Sequence, residues 1–392
     1  RMGPSVSLGG VVDQLPPWVA RSEGFAGVRT TQFGVVPGNI RFGSQLTRAE
    51  SDFTGYLVPV TRPGDAALKP AVSLTHLWRN NAGLTWQPIG LLTFSTDLSS
   101  TRDLRDYEDT TSIGRLTDAS RKEFLGMDVG VERDRNLATA INITPRLTSR
   151  LRGRLNTPNS FVLSRSLTSR APIQEFGDSG AYILPQTLNN LRSREIGITL
   201  DPSRGFRQLV KDSGAAGKAL RGLRVVDFVY RTTRLSTYDL ATFDPDLGYM
   251  LARGSIPDFL TQAGDSALSA AETPTITVGG GADLPFGITA SLQYSSSDVD
   301  RYSRASNGYL LSEITQKEWP ILQARWTQTI KSGLLSVVSL STNLRQRSGR
   351  TVLPSAAVNA VSENETSTWT NDLQLTFRKG ISLTLGYGTS NN

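Results

Sequence analysis

The chain has 392 residues, a net charge of +7, a pI of about 9.7 and a mean hydropathy of −0.24. It contains no cysteine, which excludes disulfide bonds and cysteine-bound metals. No run approaches the roughly 18 apolar residues of a membrane-spanning helix, whereas a membrane β-strand needs an apolar residue only at every second position.

Arginine supplies most of the positive charge, and it stands singly at polar positions, as at Arg146, Arg150, Arg152 and Arg154. A nucleic-acid-binding stripe would come with a folded DNA- or RNA-binding motif, and the sequence shows none. We therefore expect no nucleic-acid partner. The pattern also suits a polar channel lining, or contact with anionic lipid head groups.

Residues 1–64 are rich in proline and glycine, which predicts an irregular N-terminal segment with only short strands. In the remainder, 65–392, the alternation of apolar and polar residues predicts the strands of an outer-membrane β-barrel. The chain begins Arg1-Met2-Gly3 without a secretory signal, so we expect an excerpt of a longer polypeptide.

Residues 68–104 predict a hairpin whose turn is 79–83, because apolar residues alternate on both sides of that segment. Further strands are predicted at 127–143, 150–170 and 195–200. The charged segment 102–122 lacks periodicity, which predicts a long surface loop. Residues 204–222 predict a short, partly helical insertion.

The alternation becomes most regular after residue 223. Its clearest stretch has six apolar residues at every second position, namely Leu284, Phe286, Ile288, Ala290, Leu292 and Tyr294. Small polar residues stand between them, including Thr289, Ser291 and Gln293. Since side chains on a strand point to opposite faces in turn, we expect one strand with its apolar face on lipid and its polar face on the lumen. Its length of about 11 residues suits a tilted membrane strand.

Two hairpins are predicted near the C-terminal end, with turns at 331–333 and 378–380. In the second hairpin we expect Leu373, Leu375 and Phe377 to face lipid. The whole pattern, on the order of 12 to 16 strands with short turns and long polar loops, predicts an all-β fold. We expect an antiparallel transmembrane β-barrel, or part of a very large one. Tryptophans near strand ends or on apolar faces predict aromatic girdles, namely Trp78, Trp86, Trp319, Trp326 and Trp369.

A four-residue segment, Gly177-Asp178-Ser179-Gly180, matches the nucleophile region of chymotrypsin-like proteases. His76 and Asp97 precede it in the chain order of those enzymes. However, His76 continues the apolar face of a strand, and the segment lacks the second glycine and the proline that follow in that family. We therefore expect a polar loop and no enzyme.

Two further motifs are weak. Gly279-Gly280-Gly281 lacks the lysine and the helix of a phosphate-binding loop, so it predicts a β-turn or bulge. The acidic residues of 103–109 lack the spacing of a calcium loop and are interleaved with arginine, so they predict a solvated loop. We expect no metal and no cofactor.

Several segments together resemble one family of outer-membrane proteins. They are Val226–Thr233, Ser236–Tyr238, Phe243–Tyr249, Leu284–Ile288 and Glu318–Ile321. Their succession resembles the SprA/Sov family, the outer-membrane translocon of the type 9 secretion system, over roughly residues 130–345.

The resemblance implies a very large single-chain barrel that passes proteins across the outer membrane and is linked to gliding motility. It implies three kinds of partner, which are secreted protein cargo, a periplasmic plug and a surface-side gating protein. It implies no catalytic residues. Because barrel diameter grows with strand number, a chain of this length cannot close so wide a barrel, and we expect a section of one.

Two alternatives stay open. The first is a smaller, porin-like outer-membrane barrel for solutes. The second is a soluble surface β-domain that binds glycans or proteins. Dependence on detergent separates the soluble domain from both barrels.

Overall fold

A computed structural model describes residues 5–7, 32–53, 71–106, 120–124, 127–148, 150–166, 173–174, 182–203, 222–354 and 359–391, together with Gly114 and Thr117. Within these ranges thirteen strands form one antiparallel sheet, and each pairs with the strands before and after it in the chain. The strands are β1 (Asn39–Phe53), β2 (Ala71–Ile89), β3 (Leu92–Asp103), β4 (Val131–Ile143), β5 (Leu151–Arg165), β6 (Gln186–Leu200), β7 (Val226–Ala241), β8 (Ser269–Leu284), β9 (Ile288–Ala305), β10 (Gly308–Thr329), β11 (Leu335–Leu353), β12 (Ala360–Phe377) and β13 (Ser382–Asn391).

The predicted all-β, antiparallel fold is confirmed. In the part of the chain that the structure describes, β1 pairs in this sheet only with β2, and β13 pairs only with β12. The thirteen strands therefore form an open sheet rather than a closed barrel. Strand β1 lies inside the segment 1–64, where the composition indicated only short strands.

The register between strands sorts the side chains onto two faces. One cross-strand row consists of Leu292, Leu322, Leu344 and Trp369. The adjacent row consists of Ser291, Gln323, Asn343 and Thr370. Because the side-chain period of a strand is two, these rows lie on opposite faces, which we call the apolar face and the polar face.

Successive connections of an up-and-down sheet lie at opposite ends of the strands. One end, the turn end, has the connections 90–91, 144–150, 201–225, 285–287, 330–334 and 378–381. The other end, the loop end, has the connections 54–70, 104–130, 166–185, 242–268, 306–307 and 354–359. The longest connections lie mostly at the loop end, although 201–225 is at the turn end.

The prediction of one continuous strand through 284–296 is wrong. Pro285–Gly287 forms a 3₁₀ turn between β8 and β9. Phe286 and Gly287 have φ values of 70° and 73°, which glycine tolerates and other residues adopt rarely. Leu284 and Ile288 thereby become directly opposed neighbours on adjacent strands.

Other turn predictions have mixed outcomes. The turns at 331–333 and 378–380 are confirmed. The hairpin in 68–104 exists, but its turn is at 90–91, because β2 continues through 79–83. Gly279–Gly281 lies inside β8 rather than in a turn. The predicted insertion 204–222 lies, except for Gly222, outside the described residues.

The remaining elements are short. Two helices, α1 (Leu247–Met250) and α2 (Ile256–Leu260), belong to the connection between β7 and β8. Four two-stranded pairs are formed by Ser5–Ser7 with Gln32–Gly34, Glu123–Phe124 with Met127–Asp128, Ile173–Gln174 with Tyr182–Ile183, and Thr261–Gln262 with Asp265–Ser266. Neither described helix has the length and apolar character that crossing a membrane requires.

The buried core lies where the connection 242–268 packs against the apolar face near the loop end. We call this connection the cap. The core consists of Phe161, Leu163, Leu188, Tyr238, Ala241, Tyr249, Met250, Ala252, Phe259 and Ala267. The ring of Tyr249 contacts those of Phe161 and Tyr238 edge to face, with centroids 6.1 and 5.7 Å away. Such contacts add to the burial of apolar area.

Polar side chains of the sheet hold the backbone of the cap. Each of five side chains donates a hydrogen bond to one backbone carbonyl group of the cap. Gln186 donates to Phe243, Asn190 to Tyr249, Asn159 to Met250, Arg192 to Ala252 and Arg234 to Gly254. A buried carbonyl without a partner would cost free energy, so these bonds allow irregular backbone to pack on a sheet.

We expect Phe259→Ala to detach the cap. Phe259 is 1% exposed, and removing such a ring from a core costs about 3–5 kcal/mol. Limited proteolysis should then cleave within 242–268 much faster than in the native protein. Leu247→Ala is the matched control, because Leu247 is 67% exposed in the same segment. Equal cleavage rates for the two variants would contradict this packing.

Candidate functional site

The half of the apolar face nearer the turn end is a belt of apolar side chains that crosses the whole sheet. Each strand contributes at least one member, including, from β1 to β13, Ile40, Trp86, Phe94, Ile141, Leu155, Ile198, Phe228, Val278, Leu292, Leu322, Leu340, Leu373 and Leu385. Many members are exposed, such as Ile40 at 70% and Leu385 at 55%. Soluble proteins rarely leave so large an apolar surface in water.

The predicted lipid-facing residues lie on this belt with one exception. Leu284 ends β8, and Ile288, Ala290, Leu292 and Tyr294 follow on β9. Leu373, Leu375 and Phe377 are on β12. Phe286 departs from the prediction, because it lies in the turn, 80% exposed. The predicted lumen-facing residues Thr289, Ser291 and Gln293 lie on the polar face of β9.

The polar face has arginines that are already paired. Glu195 lies between Arg154, at 3.0 Å from Nε to Oε1, and Arg231. Arg41 and Asp97 form a second pair across β1, β2 and β3, at 2.7 Å. The exposed Arg41–Asp97 pair adds little stability. The consequence of these pairs is a hydrated surface on which part of the arginine charge is compensated, and a polar inner surface is typical of a membrane barrel.

Tryptophans mark both margins of the belt. Trp86 and Trp326 each lie three residues before the turn end of their strands, β2 and β10. Trp78 precedes Trp86 by eight residues, and Trp319 precedes Trp326 by seven. At about 3.3 Å per residue the two levels are about 23–26 Å apart along the strands. Strands of membrane barrels tilt by about 35–45°, so this distance corresponds to a height of about 16–22 Å, which fits within their apolar band of about 25 Å.

The indole N–H groups of these rings have partners within the chain. Trp78 donates to Ser44 at 2.8 Å, Trp369 to Thr342 at 2.9 Å and Trp326 to the Phe286 carbonyl at 3.1 Å. Each indole ring thus presents an apolar surface, while its N–H group has a hydrogen-bond acceptor. That combination suits the boundary between hydrocarbon and head groups.

The turn end of the sheet is oblique to the strands. Following directly opposed residues from Trp86 on β2 leads to Thr315 on β10. The equivalent tryptophan on β10 is Trp326, eleven residues nearer the turn end. The offset is eleven residues of about 3.3 Å along the strands, and the distance across the sheet is eight strand spacings of about 4.8 Å. The line that joins the two tryptophans is therefore inclined by about 43° to the perpendicular of the strands. Strands of membrane barrels tilt by about 35–45°.

The loop end has the character of a water-exposed region. Lys122 and Asp244 join the connection 104–130 to the cap at 2.9 Å. Burial acts to raise the pKa of Asp244, but the hydrogen bond and charge of Lys122 lower it overall. Burial raises the pKa of Tyr249 to about 12, against the opposing effect of its hydrogen bond with Ser236. Both groups therefore keep one charge state near neutral pH and serve structure.

The glycines of β8 open a groove in the belt. The groove has a volume of about 760 Å³ and is lined mainly by apolar residues, including Val226, Leu292, Trp319 and Leu322. Gly281 also permits close backbone approach, because a Cβ there would lie 2.7 Å from the Ala290 carbonyl oxygen. Glycine inside a strand is a signal of close backbone approach, and here it marks such a strand rather than the predicted β-turn or bulge.

The protease-like residues do not converge. His76 on β2 lies on the apolar face, whereas Asp97 on β3 lies on the polar face and pairs with Arg41. Ser179 lies outside the described residues. In the acidic segment, Asp103 binds Arg105 at 2.6 Å and Asp106 lies 3.3 Å from Arg121. Among the described residues no three His, Asp or Glu side chains are grouped to hold a metal ion.

Comparisons with known proteins find similarity among solved structures. No protein-family model matches the chain, and no curated protein matches it. Among solved structures, the crystal structure of the siderophore receptor PirA from Acinetobacter baumannii is similar, with 11% identity and a TM-score of 0.29. The similarity covers 81% of this chain and 53% of the receptor chain, so this chain spans about half of that receptor's length.

We expect Gly281→Ala to weaken the β8–β9 hairpin, because the new Cβ would press on the Ala290 carbonyl oxygen. Overpacking of this kind costs about 1–3 kcal/mol. The urea midpoint of the protein in detergent micelles, followed by tryptophan fluorescence, should fall. Gly279→Ala is the matched control, since its Cβ would meet nothing nearer than 3.7 Å. A smaller loss for Gly281→Ala than for the control would contradict the close approach.

Proposed function

We propose that this chain forms a section of the wall of an outer-membrane β-barrel, and that the barrel is a protein-conducting channel. The belt, exposed across thirteen strands and bounded by tryptophans, supports the first part most strongly. In hydrocarbon every backbone N–H and C=O must be paired, and an up-and-down sheet satisfies this for all its inner strands. A soluble β-sandwich would instead cover the belt with a second sheet.

The strand count supports a section rather than a complete wall. In an up-and-down sheet alternate strands run in opposite directions, so β1 and β13 run the same way. Pairing these two edges directly would create a parallel ladder. A fully antiparallel barrel that contains this sheet therefore requires an odd number of further strands between β13 and β1.

The resemblance to the SprA/Sov translocon supports the finer assignment to type 9 secretion. Its segments fall on distinct parts of the fold, with Val226–Thr233 in β7, Phe243–Tyr249 opening the cap and Leu284–Ile288 at the tight turn. The proposed channel is passive and not an enzyme. Cargo crosses along the polar face, and a plug and a surface gating protein are the proposed partners.

We expect Leu292→Arg to block assembly into membranes. Arginine on the lipid face costs about 2–4 kcal/mol near the bilayer midplane. The purified chain should then fail to fold into lipid vesicles, as judged by the loss of heat-modifiable migration on gels. Ser291→Arg is the matched control, because the adjacent side chain lies on the polar face. Equal tolerance of both substitutions would contradict the membrane assignment.

The secretion assignment has its own test, which is to deplete the protein in its native host and compare the proteins released into the medium. A protein-conducting channel predicts the simultaneous loss of many secreted proteins, with solute uptake unchanged. Unchanged secretion with reduced solute uptake would contradict it and favour the porin-like alternative.

A further inference from the structure

Four arginines lie together on the apolar face where the cap meets the belt. Arg192 and Arg234 are directly opposed on β6 and β7, and Arg194 follows Arg192 on the same face. Arg253 lies between α1 and α2, and the charges of Arg234, Arg194 and Arg253 all act on Arg192. We call these four residues the arginine cluster.

The arginine cluster has little acidic compensation. Arg234 pairs with Glu272, with 2.7 Å between Nε and Oε1. Within the described ranges, Arg192, Arg194 and Arg253 form no ion pair. Like charges that oppose each other on neighbouring strands destabilise the pair. An anion held between these guanidinium groups would remove that repulsion.

The cluster has donors to spare. Arg192 donates through Nη1 to the Ala252 carbonyl, at 2.8 Å. Arg234 uses Nε for Glu272 and Nη1 for the Gly254 carbonyl. Arg194 and Arg253 are exposed. A guanidinium has five N–H donors in a planar fork, and that fork matches two oxygens of a phosphate group.

The position of the cluster identifies the source of the phosphate. On β6 the belt begins two residues from Arg194, with Ile196 and Ile198 at 36% and 42% exposure. On the other side of the cluster is the polar backbone of the cap. A lipid whose acyl chains lie on the belt would therefore place its head group beside the arginines. Long arginine side chains commonly reach to that depth.

We propose that the arginine cluster binds the phosphate of an anionic membrane lipid. This inference rests on the proposed function, because a bilayer lipid reaches the cluster only if the belt faces the membrane. The cap supplies Arg253 and positions the carbonyl groups that orient Arg192 and Arg234. The cap thereby completes a head-group site on the outside of the wall.

The test measures lipid selectivity of the full chain in vesicles with spin-labelled phosphatidylglycerol and spin-labelled phosphatidylcholine. The variant R194Q/R253Q removes the two exposed arginines and leaves the contacts of Arg192 and Arg234 with the cap intact. The control R79Q/R152Q removes the same charge from exposed positions on the polar face. Heat-modifiable migration of each sample reports insertion separately.

The expected result is a preference for phosphatidylglycerol that falls by about fivefold or more in R194Q/R253Q and stays unchanged in the control. An equal preference in all three inserted proteins would overturn the site and leave the membrane wall intact. Failure of the native chain to insert would overturn the proposed function and this inference with it. Binding of inorganic phosphate by the inserted native chain, lost in R194Q/R253Q and without any preference for phosphatidylglycerol, would overturn the assignment to a lipid.

Discussion

The register between neighbouring strands is the constraint on which the rest of this structure depends. Twelve antiparallel ladders place every second side chain on the same face, and a slip of one residue in any ladder would exchange the faces beyond it. The belt, the paired arginines of the polar face and the two levels of tryptophan all follow from that one alignment. The inclination of about 43° follows from it too, because the ladders fix how each strand is offset from the next.

Alternation in the sequence predicted the type of fold and the two faces, but it could not place every turn. The turn of Pro285, Phe286 and Gly287 does not interrupt the alternation of apolar and polar residues. In the sequence Leu284 and Ile288 therefore seem to belong to one strand, whereas in the structure they oppose each other on two adjacent strands. In β2 the opposite error occurs, because a turn is predicted where the strand continues. There Asn80, Asn81 and Gly83 have turn-forming propensity, yet pairing with β1 and β3 keeps them extended. Tertiary pairing outweighs local preference at such positions.

The cap could not be predicted for a different reason. Its helices have four and five residues, too few for a periodic pattern, and its packing depends on polar residues of distant strands. Asn159, Asn190 and Arg192 look like ordinary polar positions in the sequence, and only the fold brings them beneath the carbonyl groups of 249–252. The cap divides the apolar face into a covered part at the loop end and a bare belt at the turn end. That division fixes where the arginine cluster lies, and under the proposed function it sets where the wall would leave the hydrocarbon.

Spin labelling along β11 measures whether one face of the proposed wall contacts lipid and the other contacts water. The chain has no cysteine, so a single substitution by cysteine gives a single labelling site. The five variants are Leu340→Cys, Ser341→Cys, Thr342→Cys, Asn343→Cys and Leu344→Cys. In vesicles we expect accessibility to oxygen, which concentrates in hydrocarbon, to peak at positions 340, 342 and 344. Accessibility to a water-soluble nickel complex should peak at 341 and 343. Uniform access of the nickel complex at all five positions would show that neither face of β11 is in contact with lipid.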